Sequence, residues 1–270
     1  MSVNHYENFP VASVLLPARL RKPVELIYRF ARAADDFADE GELPDRERLA
    51  LLASFGDELR MLERGERSRV ALFQELAPMI NAHGLPLNLF HDLLSAFAQD
   101  VAKKRYADYT EVLDYCRRSA NPVGRLLLVL YGAATPQNLR WSDNICSSLQ
   151  IINFLQDIAV DDAKGRIYMP QDELARFRVS DAQIAARDTS GAWRDFMTFQ
   201  VNRARRMLWD GAPLGRALKG RSGLEMRMII AGGDRILAKI LAADCDVFHR
   251  RPVLRSHDWA LMLARTFKIR

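Results

Sequence analysis

The chain has 270 residues, 49% of them hydrophobic and 27% charged, a balance that excludes a disordered or collagen-like protein. Gly and Pro number only 14 and 11, which disfavours a loop-rich all-β architecture. Lys and Arg exceed Asp and Glu by 39 to 34, for a net +5, and only seven of the basic residues are Lys, a bias toward the guanidinium that pairs with phosphate bidentately.

Apolar residues recur at helical spacing almost throughout. Over 20–40, Leu20, Val24, Ile27, Phe30, Ala34 and Phe37 predict a helix with Pro23 in its first turn, ended by an acidic loop at 41–45. Amphipathic helices follow at 46–63, stopping near Gly65, and at 70–82 and 86–103, parted by the break His83-Gly84-Leu85-Pro86. A helix at 108–118 precedes Asn121-Pro122. The apolar segment 123–134 is closed by a turn at Thr135-Pro136-Gln137-Asn138, and a long helix covers 141–161. Residues 164–170 form a break with Gly and Pro, and helices at 181–186, 192–210, 224–243 and 257–266 complete the chain. No strand alternation and no internal repeat stands out. Segments 120–134 and 145–160 are apolar around most of their circumference, so they are expected to be buried. The pattern predicts one all-α helical bundle domain over 1–270, with a basic tail from about 249.

No apolar run reaches the roughly 18–20 residues needed to span a bilayer. The first residues lack the basic start and long apolar core of a signal peptide. Cys116, Cys146 and Cys245 show no metal-like spacing. A cytoplasmic protein is therefore expected. Nucleic acid is not an expected partner, because the basic residues at 249–255 and the basic chain end form no recognised binding motif. That tail reads either as a solvated end or as a contact for an anionic membrane surface.

Two carboxylate groups carry the chemistry. Asp35 and Asp39 sit four apart, on one helix face, with Asp36 beside them. Like charges at that spacing repel, and a helix C-terminus disfavours anions further. Asp157 and Asp161 repeat the spacing, and Gln150 and Asn153 extend the same stripe. With 22 Asp in the chain, about two such pairs arise by chance, so spacing alone is weak. Context adds to it. A polar stripe among Ile151, Ile152, Phe154, Leu155 and Ile158 cannot lie unpaired in a dry core. Oxygen-only ligands suit Mg²⁺ or Mn²⁺ rather than zinc. Such clusters facing each other could grip a diphosphate while an aromatic-lined cavity shelters a carbocation. Arg32 and Arg166 lie near the two clusters and could hold phosphate.

The stretch from Leu26 to Asp39 resembles the first aspartate-rich region of the squalene/phytoene synthase family. Asn8-Phe9 and Leu15-Leu16-Pro17 stand where that family has Ser-Phe and Leu-Pro. Tyr115-Cys116 with Ala120 and Val123-Gly124 is similar to its Tyr-Cys…Ala-Gly-x-Val-Gly segment. Gln150, Asn153, Asp157 and Asp161, then Gly165-Arg166-x-Tyr168-x-Pro170, resemble its second aspartate-rich region. The resemblance implies the all-α isoprenoid-synthase bundle with a central active-site cavity. It implies that Asp35, Asp36, Asp39, Asp157 and Asp161 bind Mg²⁺, and that Arg32 and Arg166 hold diphosphate. Gln150 and Asn153 would line the site, Tyr28 and Tyr115 would face the reacting carbons, and Phe9 would line the entry.

Two departures narrow the expectation. Gln156 stands where the family usually has Arg, and Asn121 follows Ala120 where it usually has Gly. One cation fewer suits an enzyme that ionises a single diphosphate. The departures, with Tyr6 to Ser13 and Asp246-Val247-Phe248, look like the bacterial hopanoid-pathway branch of the family. That branch takes presqualene diphosphate and water to hydroxysqualene and diphosphate, with no NADPH. Gln156 and Asn121 would then touch substrate, Asn121 by orienting the water. The alternatives are condensation of two farnesyl diphosphates to presqualene diphosphate or squalene, and a non-catalytic helical membrane-surface adaptor. So apolar a product implies transient contact with the membrane or a downstream enzyme.

Overall fold

A computed structural model describes residues 16–266. Phe9 and the segment Tyr6 to Leu15, which carry part of the family resemblance, lie outside the described residues. The helices, in chain order, are α1 (Ala18–Asp39), α2 (Asp45–Glu63), α3 (Ala71–His83), α4 (Leu87–Ala102), α5 (Tyr109–Ser119), α6 (Asn121–Leu130) and α7 (Pro136–Ala163). Then come α8 (Gln171–Phe177), α9 (Asp181–Ala185), α10 (Trp193–Gly211), α11 (Leu214–Ala217), α12 (Gly220–Ala242) and α13 (Ser256–Thr266). The all-α expectation holds. Among the described residues no helix is long and apolar enough to cross a membrane.

The departures from expectation are local. Thr135-Pro136 is the start of α7 rather than a turn before it. The Thr135 hydroxyl accepts from the Asn138 N–H, and Pro136 takes the first helical position, where a missing N–H costs nothing. Helix α1 begins at Ala18, so Pro23 lies beyond its first turn. Short α8 and α11 have too few residues to show a period. A small sheet also forms where no strand was expected: β1 (Arg105–Tyr106) pairs in parallel with β2 (Ile167–Pro170). Strand β1 has two residues, and β2 has four that are all buried, so neither shows alternation.

Two apolar clusters make up the interior. Helices α1 to α4 gather around Phe30, Phe55, Phe73 and Phe90, whose rings meet at centroid distances of 5.0–5.9 Å. The second cluster is built on α5, α7, α10 and α12, with Trp193, Phe196 and Leu208 fully buried. Helix α6 serves both, with Leu126 and Leu130 in the first and Leu128 in the second. It approaches α7 closely at Gly124: a Cβ there would stand 2.4 Å from Ser142 Oγ and 2.5 Å from Cys146 Sγ. That contact explains the glycine of the Val123-Gly124 pair.

Candidate active site

The aspartates meet at the seam between the two clusters. Helices α1 and α7 both end there, so two negative dipole ends and two sets of carboxylates converge. Cations gather to balance them. Arg32 Nη1 donates to Asp35 Oδ2 at 3.1 Å, and Arg32 Nη2 lies 2.6 Å from Asp36 Oδ1. Asp39 joins the helices: Lys164 Nζ donates to one of its oxygens at 2.6 Å and Arg166 Nη2 to the other at 2.5 Å. Arg251 forks onto Asp157, with Nε to Oδ1 at 2.5 Å and Nη2 to Oδ2 at 3.1 Å.

Local sequence places these groups. Helix α7 ends in a paired-carbonyl cap. The Gly165 N–H bonds the Asp162 carbonyl, the Arg166 N–H bonds the Asp161 carbonyl, and Gly165 sits at φ +74°. A glycine there lets the chain double back without a Cβ clash, and so delivers Arg166 to Asp39. Strand β2 then continues through Tyr168. On α7 the Gln150–Asp161 stripe is open or half-buried while Ile151, Ile152, Phe154, Leu155 and Ile158 are buried, so the polar face looks out of the core as its composition requires.

The charges interact strongly. Burial and the neighbouring Asp39 push the Asp35 carboxyl up to about 6, and burial with Asp157 pushes Asp161 up to about 7. Burial acts the same way on Asp39, but Lys164 and Arg166 outweigh it and hold that carboxyl below its ordinary range. Among the described residues no three Asp, Glu, His or Cys side chains converge into a ready-made metal cage. Mg²⁺ rarely uses such a cage. It takes one or two carboxylates and completes its octahedron with water and phosphate oxygens. Carboxylates from two facing helices, with no thiol or imidazole among them, fit an ion that arrives with a diphosphate.

An aromatic group lies beside the charges. Tyr168 stacks on Phe154 at 3.8 Å and 6°, and Tyr106 and Tyr115 pack around them at 5.4–5.9 Å. At its centre is Asp100 of α4, which the site expectation omitted. Its carboxylate accepts from the Tyr115 hydroxyl at 2.6 Å and from the Tyr168 hydroxyl at 2.8 Å, fully inside the protein. Burial and Asp100 raise both tyrosines far above the phenol range, so they stay protonated and donate. Nothing in the sequence set Asp100 apart, because α4 also carries Asn88, His91, Asp92, Ser95 and Gln99.

Two expected substrate contacts turn elsewhere. Asn121 is buried in the α6–α7 joint, where its amide oxygen accepts from Ser147 Oγ at 2.9 Å. Gln156 is 2% exposed, and its amide donates to the Pro252 carbonyl at 2.6 Å, next to Arg251. Position 156 itself brings no charge to the site, and the guanidinium that reaches Asp157 is that of Arg251, from a distant segment. Tyr28 is half-buried on α1, one turn before Arg32.

The squalene/phytoene synthase family pattern matches residues 3–258. The chain belongs to the squalene/phytoene synthase family. It is 36% identical over 251 residues to a hydroxysqualene synthase of Rhodopseudomonas palustris, covering 92% of this chain and 84% of that protein. The crystal structure of squalene synthase HpnC from Alicyclobacillus acidocaldarius superposes with a TM-score of 0.82 at 35% identity, covering 89% of this chain and 90% of the other. A dehydrosqualene synthase solved with ligand, 18% identical, shares the fold with a TM-score of 0.83 over 94% of this chain and 88% of its own. Together they identify the architecture as the all-α isoprenoid-synthase bundle.

Proposed function

We propose that this protein converts presqualene diphosphate and water to hydroxysqualene and diphosphate. The observation that carries the reading is the Asp39 bridge to Lys164 and Arg166, which sets both aspartate-rich regions against one another beside a cluster of aromatic rings. Similarity to a hydroxysqualene synthase over nine-tenths of the chain supports it.

Asp35, Asp36, Asp39, Asp157 and Asp161 would hold Mg²⁺, or Mn²⁺, which on binding supplies positive charge to a departing diphosphate. Arg32, Lys164, Arg166 and Arg251 now spend their N–H groups on carboxylates. Each can exchange a carboxylate oxygen for a phosphate oxygen without crossing the site. Breaking the allylic C–O bond leaves its electron pair on diphosphate and a cation on the hydrocarbon. Tyr106, Tyr115, Phe154 and Tyr168 present ring faces that stabilise positive charge. Asp100 holds two of their hydroxyls, which fixes the orientation of those rings. The cyclopropane opens, water forms the final C–O bond and loses a proton, and no reductant is consumed.

A second reading is condensation of two farnesyl diphosphates. The similar HpnC bears the name squalene synthase, and Arg251 adds a cation beside Asp157 that a second diphosphate could use. The test is a product assay with Mg²⁺ and no NADPH, using presqualene diphosphate in one tube and farnesyl diphosphate in another. Hydroxysqualene from the first tube alone supports the proposal. Consumption of farnesyl diphosphate supports condensation. Silence in both returns the non-catalytic adaptor. Asp35→Asn and Asp157→Asn should each cut turnover by about two or more powers of ten while the fold survives. Near wild-type rates in both would defeat the metal assignment.

A further inference from the structure

Helix α13 turns its apolar side outward. It packs on α12 through Asp258, Met262 and Thr266, which recur every four residues and are 0–2% exposed. The rest of its circumference carries Trp259, Ala260, Leu261, Leu263 and Ala264, with Ser256 and His257 at its start and Arg265 at its end. Trp259, Leu261 and Leu263 are 40%, 49% and 48% exposed. A surface helix ordinarily shows charge on that arc. Here the flanking Arg265 is bonded to Asp234 at 2.8 Å, and the N-terminal Arg255 lies in a cleft lined by Lys239, His249, Arg250 and Arg251.

The net charge of the sequence falls in the same segment. Residues 249–270 contain six Arg or Lys and one Asp, which leaves 33 basic and 33 acidic residues in 1–248. The entire +5 of the chain therefore belongs to its last 22 residues. The single acid there, Asp258, is buried against Arg235 and Lys239, so it does not offset the charge shown to solvent.

We propose that the outer face of α13, with the basic residues around it, docks on an anionic lipid surface. An apolar face with Trp at its edge, bordered by Arg, is what enters a headgroup layer. Negative lipid attracts each nearby basic residue in addition. A second copy of the chain fits less well. Three half-exposed side chains offer on the order of 300 Å² of apolar surface, against roughly 800 Å² a side in a stable dimer. Pairing through this face would also bring like-charged Arg residues of two copies toward one another. The inference does not rest on the proposed reaction, and its test uses no substrate.

Full-length protein is floated with vesicles of phosphatidylcholine, with and without phosphatidylglycerol. Binding should require the anionic lipid and weaken as salt rises. Trp259→Ser, Leu261→Ser and Leu263→Ser combined should lower the bound fraction at least about tenfold. All three side chains are solvent-exposed, and an unchanged melting temperature shows that the variant is folded. The fluorescence of wild-type protein should shift to the blue on anionic vesicles, and Trp259→Phe should abolish that shift. No binding to anionic vesicles, equal binding to neutral ones, or full binding by the triple variant overturns the proposal. So does a wild-type dimer that the triple variant loses, which would assign the face to a second copy.

Discussion

Asp100 provides the sharpest test of how the site is held. Two tyrosyl hydroxyls donate to its buried carboxylate, at 2.6 and 2.8 Å. Hydrogen bonds to a charged group contribute about 1.5–3 kcal/mol each, so Tyr115→Phe and Tyr168→Phe should each cost about 2 kcal/mol. At this chain length that lowers the melting temperature by about 4–6 °C. Either single variant leaves one hydroxyl on the carboxylate. The double variant leaves none, and a buried acid without its donors carries its desolvation cost in full. The double variant should therefore lose about 1 kcal/mol or more beyond the sum of the singles. Adding Asp100→Leu should then recover stability, because an apolar trio has nothing left unsatisfied. Melting curves of the four variants in metal-free buffer decide the matter. Strict additivity, or further loss on adding Asp100→Leu, would show that the hydroxyls do not depend on Asp100.

Three further outcomes are expected. Gly124→Ala should destabilise by about 1–3 kcal/mol, read as a lower melting temperature, and Ser142→Ala with Cys146→Ala should restore part of it. Burial alone would raise the Asp258 carboxyl, but Lys239, the Arg255 N–H and Arg235 hold it far below its ordinary value. It therefore adds stability above the unfolded carboxylate range near 4 and loses it as pH falls toward the lower folded value, so Asp258→Asn should flatten the acid limb of a melting-temperature profile. Arg251→Lys keeps a charge but cannot fork onto Asp157; the ligand-free melting temperature should fall by a few degrees, and the further rise given by Mg²⁺ plus pyrophosphate should also shrink.

The helices were legible because burial imposes a period. Leu20 to Phe37 and the apolar positions of α7 repeat at helical spacing, and the structure buries most of that face. The convergence of α1 and α7 was legible too, since charges crowded on apolar helices require a shared exit from the core. Partners far along the chain were not. Arg251 reaches Asp157 across 94 positions, and Gln156 reaches Pro252 across 96, with no local pattern to announce either. The surroundings of position 156 were hidden for that reason, since its partner Pro252 and the neighbouring Arg251 belong to another segment. Asp100 was overlooked because its two partners arrive from α5 and β2. The short strands that carry Tyr106 and Tyr168 leave no periodic trace.

The division of the interior into two apolar clusters has a consequence for unfolding. Each cluster has its own aromatic centre, and α4 and α6 contribute side chains to both. The charged site draws Asp39 from one side and Arg166 from the other, so it exists only while both sides are folded. A ligand spanning the seam acts as a clasp: heat that loosens either side must also expel it. On the proposed reading, diphosphate and metal bound across the seam would raise the melting temperature of both sides together.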